Sequence, residues 1–297
     1  MTEQITKFPE VGAAVHLEHV NFPIADQQLA TTFFMSGLGL TRDPYKRCDE
    51  TNMGVNMGLQ QFHLPRGEVT PPFPGEIGLL VPDLEAVRER LTRLQDAGSF
   101  ADTPFALSNT GDCLEVTSPF GIELRLHAAG SIEFLQPLGL VYVNVSVPPR
   151  TAEPIAGFYR QIMHCPALCT EIDGELTTQV SVGPYQSLRY REREVADYAT
   201  HNLHVAIYVT HFNELRRYMI EHGNFLYDAL DQTFFFEQPL DPAGGGPLFH
   251  LQHEVRGLYH PDYMRPLVNR WPLVAEPFSD QATIRARLTA RRNKANP

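Results

Sequence analysis

Apolar and polar residues alternate through residues 15–23, the pattern of a strand with one buried face. Asp26 then stands where an N-cap belongs, before Ala30, Phe33, Phe34 and Leu38 at helical spacing, and Gly37 and Gly39 end the run. Residues 52–58 and 59–64 read as strands around a short turn, and the proline-rich stretch 65–74 as a connection. The same order returns three times. Residues 76–82 predict a strand, Asp83 caps a helix over 84–94, and strands follow at 104–108, 112–117 and 121–126, divided by turn sequences. The third pass predicts a strand at 140–147, a helix at 156–163, and strands near 165–172, 176–182 and 185–191. The fourth predicts a strand at 203–209, a helix at 212–222, and strands near 226–230, 233–237 and 247–256.

A strand–helix–strand–strand–strand unit repeated four times constrains the fold. One unit alone leaves an open sheet edge and a half-covered face, so units are expected to pair. The expectation is an α+β chain of four βαβββ modules forming two cupped eight-stranded mixed sheets. Neighbouring modules are expected to pair, giving a first domain over 1–131, a second over 132–256 and an extension over 257–297. A basic stretch at 285–292 reads as a solvated terminal helix. Each cup's inner face becomes a cavity lined by alternate residues of several strands.

Composition narrows the function. The 297 residues are 43% hydrophobic and 20% charged, as in a folded soluble protein, and a net charge of −11 disfavours nucleic-acid and anionic-membrane partners. No stretch has the apolar core of a signal peptide or the length of a bilayer span. Cys48, Cys113, Cys165 and Cys169 form no CxxC pair and read as free thiols of a cytoplasmic protein. The expected partner is a small-molecule substrate, with a homodimer as an added possibility.

Four stretches carry a family resemblance: Leu17-Glu-His19-Val-Asn21-Phe-Pro-Ile-Ala-Asp26, Ser36-Gly-Leu-Gly-Leu40, Gly75-Glu76-Ile-Gly-Leu-Leu-Val-Pro-Asp-Leu84 and Ser118-Pro-Phe-Gly-Ile-Glu123-Leu124. With the fourfold order of elements, the chain resembles the vicinal oxygen chelate superfamily, which includes glyoxalases, epimerases, extradiol dioxygenases and drug-resistance proteins. The resemblance implies a divalent metal (zinc, nickel, cobalt, manganese or ferrous iron) held inside a cup by first and last strands of two paired modules. In the first domain the matching positions hold His19, His63, Glu76 and Glu123, with Glu76 and Glu123 as the carboxylates able to move a proton. Many relatives carry Glu then His at the middle two positions; this chain carries His63 then Glu76.

Strand parity points the same way. Ile122, Leu124 and Leu126 share one face, so Glu123, Arg125 and His127 take the other; the same alternation turns Glu76, His19 and His63 inward. His16 has the opposite parity to His19. Two carboxylates in a partly dry cup repel unless a cation sits between them, and either a metal or Arg125 supplies that charge. Arg125 and Asn21 are candidate substrate contacts.

The second domain departs from the pattern. Tyr142 stands where His19 does, His204 opens the fourth unit, and His250 takes the closing position. Glu254 lies four residues beyond His250, about 13 Å along a strand, too far to share an ion with it. His253 faces away from His250. This cup therefore reads as a remodelled pocket lined by Tyr142, Asn144, His204, Tyr208, His250 and Gln252. In the strand at 185–191 either Leu188 or Arg189 turns inward. Three functions follow: a glyoxalase-, epimerase- or lyase-type enzyme using metal-assisted enolate chemistry, an extradiol-type iron(II) dioxygenase, and a metal-free binding protein of the resistance kind.

Overall fold

The computed structural model describes residues 10–43, 51–194, 203–229 and 232–265. Cys48 and the basic stretch at 285–292 lie outside the described residues. All four units are present. The first holds β1 (Ala14–Asn21), α1 (Gln27–Ala30) continuing into a π-helical segment at Thr31–Gly37, then β2 (Thr41–Arg42), β3 (Asn52–Met57) and β4 (Gln60–Pro65). The second holds β5 (Gly75–Val81), α2 (Leu84–Asp96), β6 (Ala106–Asn109), β7 (Cys113–Thr117) and β8 (Glu123–Ala128). The third holds β9 (Gly139–Val147), α3 (Ala152–Gln161), β10 (Ala167–Ile172), β11 (Glu175–Gly183) and β12 (Gln186–Glu192). The fourth holds β13 (His204–Val209), α4 (Phe212–Glu221), β14 (Phe225–Asp228), β15 (Thr233–Phe236) and β16 (Gln252–Gly257).

The caps are those the sequence suggests: Asp26 accepts from the Leu29 amide and Asp83 from the Ala86 amide, each at 2.9 Å. α3 begins four residues before the expected start. Pro154 is tolerated in its first turn, and the Glu192 carboxylate accepts from the Ala152 amide at 2.8 Å. Val20 and Phe22, Ile77 and Leu79, Val143 and Val145, and Val205 and Ile207 all enter one continuous core. Their alternates face the cups, as period two requires.

The pairing of units differs from expectation. One sheet runs β14-β15-β16-β13-β1-β4-β3-β2 and the other β10-β11-β12-β9-β5-β8-β7-β6. Unit one therefore joins unit four, and unit two joins unit three, through the antiparallel pairs β1–β13 and β5–β9. The boundary placed after residue 131 falls inside the second sheet. Alternation fixes which face of an opening strand is buried but is silent on which edge it joins, and all four opening strands present the same pattern.

Both central pairs share one irregularity. Leu17 pairs with Ile207 and His19 with Ala206, which leaves Glu18 as an extra residue; Leu140 pairs with Leu79 and Tyr142 with Gly78, which leaves Val141 extra. Glutamines at matching strand starts serve the disturbed backbone. The Gln186 amide accepts from the Leu17 amide and donates to the Leu17 and Leu140 carbonyls, and Gln60 accepts from the Leu140 amide. These bonds also tie the two sheets together. Among the described residues no helix is long and apolar enough to cross a membrane.

Candidate metal centre

The bulge decides what the first cup contains. Because Glu18 is an extra residue, it and His19 both turn into the cup, and the Glu18 carboxylate bonds the His19 Nδ1. The same insertion brings His16 onto the His19 side, where it pairs across strands with Tyr208; its ring stacks there at 6.0 Å and its Nε2 lies 3.2 Å from the Leu59 carbonyl. The parity expected for His16 is thus overturned.

Three donors from three strands converge beyond that bulge. His19 Nε2 lies 3.3 Å from Glu254 Oε2, His204 Nε2 3.2 Å from the same oxygen, and the two Nε2 atoms 3.3 Å from each other. The register explains the meeting. His19 pairs with Ala206 and Ala206 with Glu254, so the two donors flank a small residue, and His204 sits one step along β13. Metal bonds of about 2.0–2.2 Å place tetrahedral donors about 3.3–3.6 Å apart and adjacent octahedral donors about 2.8–3.1 Å apart. The triangle falls between those ranges, and its donors, two imidazoles and one carboxylate, suit a divalent transition metal.

The surroundings orient the donors. Arg256 donates through Nε to Glu254 Oε1 and through Nη1 to Glu18 Oε2 at 2.8 Å and the Tyr208 hydroxyl at 3.3 Å. Burial pushes the Glu18 and Glu254 carboxyls up. The opposing pull of Arg256 and then His19 on Glu18, and of His19 and then Arg256 on Glu254, outweighs it and holds both well below the usual carboxylate range. Burial lowers His204 despite Glu254 beside it, which favours the neutral, ligating imidazole.

His63 stands next to this triangle but outside it. Its ring stacks on His19 at 3.7 Å, and its Nε2 lies 2.9 Å from Gln61 Oε1. The Gln61 amide nitrogen donates to Asp43 and to Asn56 Oδ1 at 2.6 Å, so its oxygen faces His63 and His63 is the donor. Gln61 pairs with His19 on β4 as Glu254 pairs with Ala206 on β16, so the fourth strand position in this cup holds a clamped neutral amide. Asn21 pairs with both His204 and His63 at the edge of the cup.

The expected set of His19, His63, Glu76 and Glu123 is therefore not brought together, because its histidines and carboxylates lie on different sheets. Register places Tyr142, Glu76 and Arg125 in the second cup where the first has His19, His204 and Glu254. Arg125 bonds Glu76 at 2.9 Å and Glu115 at 3.1 Å, so Glu76 has the arginine partner. The Asn144 amide donates to Glu76 at 3.0 Å, and the Tyr142 hydroxyl lies 3.4 Å from Glu76 and 2.9 Å from His127. Glu123 occupies the position matched by Gln252 and accepts from the Thr117 hydroxyl at 3.0 Å. Arg189 faces this cup with its guanidinium 3.9 Å over the Tyr142 ring, while Leu188 is in the core. His250 precedes β16, and its Nε2 lies 3.7 Å from Glu237. Glu254 is indeed no partner of His250; its partners are His204 and, from unit one, His19. Aligning β16 with β8 residue by residue was the available signal, since it sets Glu254 against Arg125.

No protein-family model matches the chain, and no curated protein matches it in sequence. Solved structures do resemble it. Glyoxalase I from Zea mays superimposes with a TM-score of 0.57 at 11% identity, covering 82% of this chain and 92% of that one. A "putative dioxygenase" from Bacillus subtilis subsp. subtilis str. 168 gives 0.56 at 14% identity, covering 86% and 91%. The cppA protein from Streptococcus pneumoniae TIGR4 gives 0.51 at 10% identity, covering 83% and 99%. The fold is that of the vicinal oxygen chelate superfamily, built from four modules in two cupped sheets.

Proposed function

We propose that the first cup is a metal centre held by His19, His204 and Glu254, and that the protein is an iron(II)-dependent oxygenase of this fold acting on a small molecule with neighbouring oxygens. The observation that carries this reading is the near-equilateral donor triangle, two histidines and one carboxylate converging with the fourth strand position held by Gln61. Such a set with open positions suits non-haem iron(II) oxygenases. Once bound, the metal supplies Lewis acidity toward two substrate oxygens and a redox centre for dioxygen.

The chain's own groups then have defined tasks. Arg256 holds Glu254 Oε1, which leaves Oε2 for ligation and restrains this carboxylate from leaving to carry a proton. That restraint weighs against the glyoxalase-like reading, in which a ligand carboxylate detaches. His63 keeps a proton at Nε2 on Gln61 and is the nearest group to exchange one with a substrate at this edge. Phe235 packs edge-on against His204 at 5.2 Å with Tyr227 stacked behind it at 4.7 Å, an apolar wall beside the centre. A cytoplasmic setting, which keeps iron ferrous and thiols reduced, belongs to the same reading.

The test is anaerobic loading with iron(II) followed by oxygen uptake on a panel of catechols and 2-oxo acids. Uptake that depends on iron and disappears in Glu254→Ala is expected. Turnover of an isomerase or lyase substrate with zinc or nickel, with no oxygen uptake, would replace this reading with the glyoxalase-like one.

A further inference from the structure

We infer that Glu18 and Arg256 are dedicated positioning residues for the metal donors, with the β-bulge as the device that delivers Glu18 to them. The inference rests on the metal reading above and goes beyond it to residues that touch no metal.

The bulge is a property of the scaffold, because it recurs at the same place in the second cup. What differs is the residue it carries. In the first cup the extra residue is Glu18, followed by His19; in the second it is Val141, followed by Tyr142. Arg256 pairs with Tyr208 as His127 pairs with Leu80, so the arginine too is replaced where the donors are replaced. In the second cup Leu80, Val141 and Tyr142 form an apolar cluster instead. Thus the cup with donors has the clamp and the cup without them has neither half of it.

The geometry shows what the clamp does. The Glu18 carboxylate on His19 Nδ1 fixes the tautomer whose Nε2 lone pair points at Glu254 and His204. Arg256 bonds Glu254 Oε1 and Glu18 Oε2, so one guanidinium orients both donors and leaves Glu254 with one free oxygen. The three charged groups sum to one negative charge, all of them nearly buried. Without Arg256 two carboxylates would share that space.

The experiment uses cobalt(II) added to the full-length metal-free protein, with affinity read by competition against a chromophoric chelator and coordination read from the ligand-field spectrum. Glu18→Gln keeps shape and removes the charge. It is expected to weaken cobalt(II) binding about 10- to 100-fold and to shift the spectrum, with the thermal midpoint of the metal-free protein little changed. Arg256→Lys keeps the buried charge but cannot bridge two carboxylates, and reads the same clamp from its other end should Glu18→Gln fail to fold. A lower midpoint with unchanged affinity and spectrum in either folded variant makes the clamp merely structural and overturns the inference. Wild-type protein that binds no cobalt(II), zinc(II) or iron(II) overturns the metal reading and the clamp together.

Discussion

Rebuilding the second cup as a copy of the first puts the internal symmetry to a direct test. Register matches Tyr142 to His19, Glu76 to His204 and Arg125 to Glu254, with Gly78 in place of Ala206. The variant Tyr142→His, Glu76→His, Arg125→Glu therefore carries a second donor triangle. Its cost follows from what is removed. Arg125 is 27% exposed in its pairs with Glu76 and Glu115, which are 20% and 43% exposed, and partly solvated pairs of this kind contribute at most about 1 kcal/mol each. Tyr142 is wholly buried under Arg189, and shrinking its ring costs roughly 1–3 kcal/mol. The sum, about 2–5 kcal/mol, lies within the roughly 5–15 kcal/mol stability of a typical domain. Metal analysis after cobalt(II) loading should find two equivalents in the folded variant and one in the wild type. The second equivalent should bind more weakly, since Val141 cannot orient the new histidine, and adding Val141→Glu should tighten it by about 10- to 100-fold. One equivalent in both proteins refutes the matching of the cups, and none in either refutes the metal reading.

Three further outcomes follow from other parts of the structure. His253 Nδ1 donates to the Leu251 carbonyl, so its Nε2 accepts from Tyr159, which in turn accepts from Tyr190. Tyr159→Phe strands two buried groups and should cost about 2–5 kcal/mol in urea unfolding, whereas Tyr190→Phe strands none and should cost about 1 kcal/mol; equal losses would refute the direction of the chain. Burial lowers His253 to about 3 from 6.5, so the unfolded chain binds the extra proton between those values. Stability is then complete above pH 6.5 and falls as pH drops toward 3; a slope between pH 6.5 and 4.5 that does not flatten in His253→Gln would remove this group as its cause. Gly78→Ala would set a Cβ 2.3 Å from the Tyr142 ring and should cost about 1–3 kcal/mol, a loss that Tyr142→Ala should relieve in a double-mutant cycle.

Period-two alternation in opening strands such as Val20–Phe22 and Ile77–Val81 made the four units legible, because burial on one face is written locally. It also placed His19 on a cup face. Partner choice was not legible: Ala206 and Gly78 differ in sequence neighbours, yet neither states that β1 lies against β13 or β5 against β9. The metal donors were lost with that pairing, since His204 and Glu254 come from the last unit and His19 from the first. Glu18 was hidden for a second reason. A parity rule assigns neighbours to opposite faces, and a bulge is the local event that breaks the rule. The end of the closing strand misled as well: starting it at residue 247 puts His250 in the cup, while the strand begins at Gln252.

The two cups meet one electrostatic demand in opposite ways. A buried carboxylate needs a compensating positive charge, and a scaffold can supply it as a side chain or leave a place for an ion. At matched positions the second cup has Arg125 with Glu76, a cation attached to the chain and bonded to its own anion. The first cup has Glu254 with two imidazoles whose donors converge at 3.2–3.3 Å. Its one arginine, Arg256, bonds Glu18 and the far oxygen of Glu254. Reversing a single sign, arginine to glutamate at the closing strand, is thus the step that separates a self-satisfied cup from one arranged for an exogenous cation. The positive charge of a divalent ion would exceed the net negative charge of Glu18, Glu254 and Arg256, leaving the centre able to attract an anionic oxygen chelator. That surplus ties the sign of one residue on β16 to the class of small molecule this fold admits.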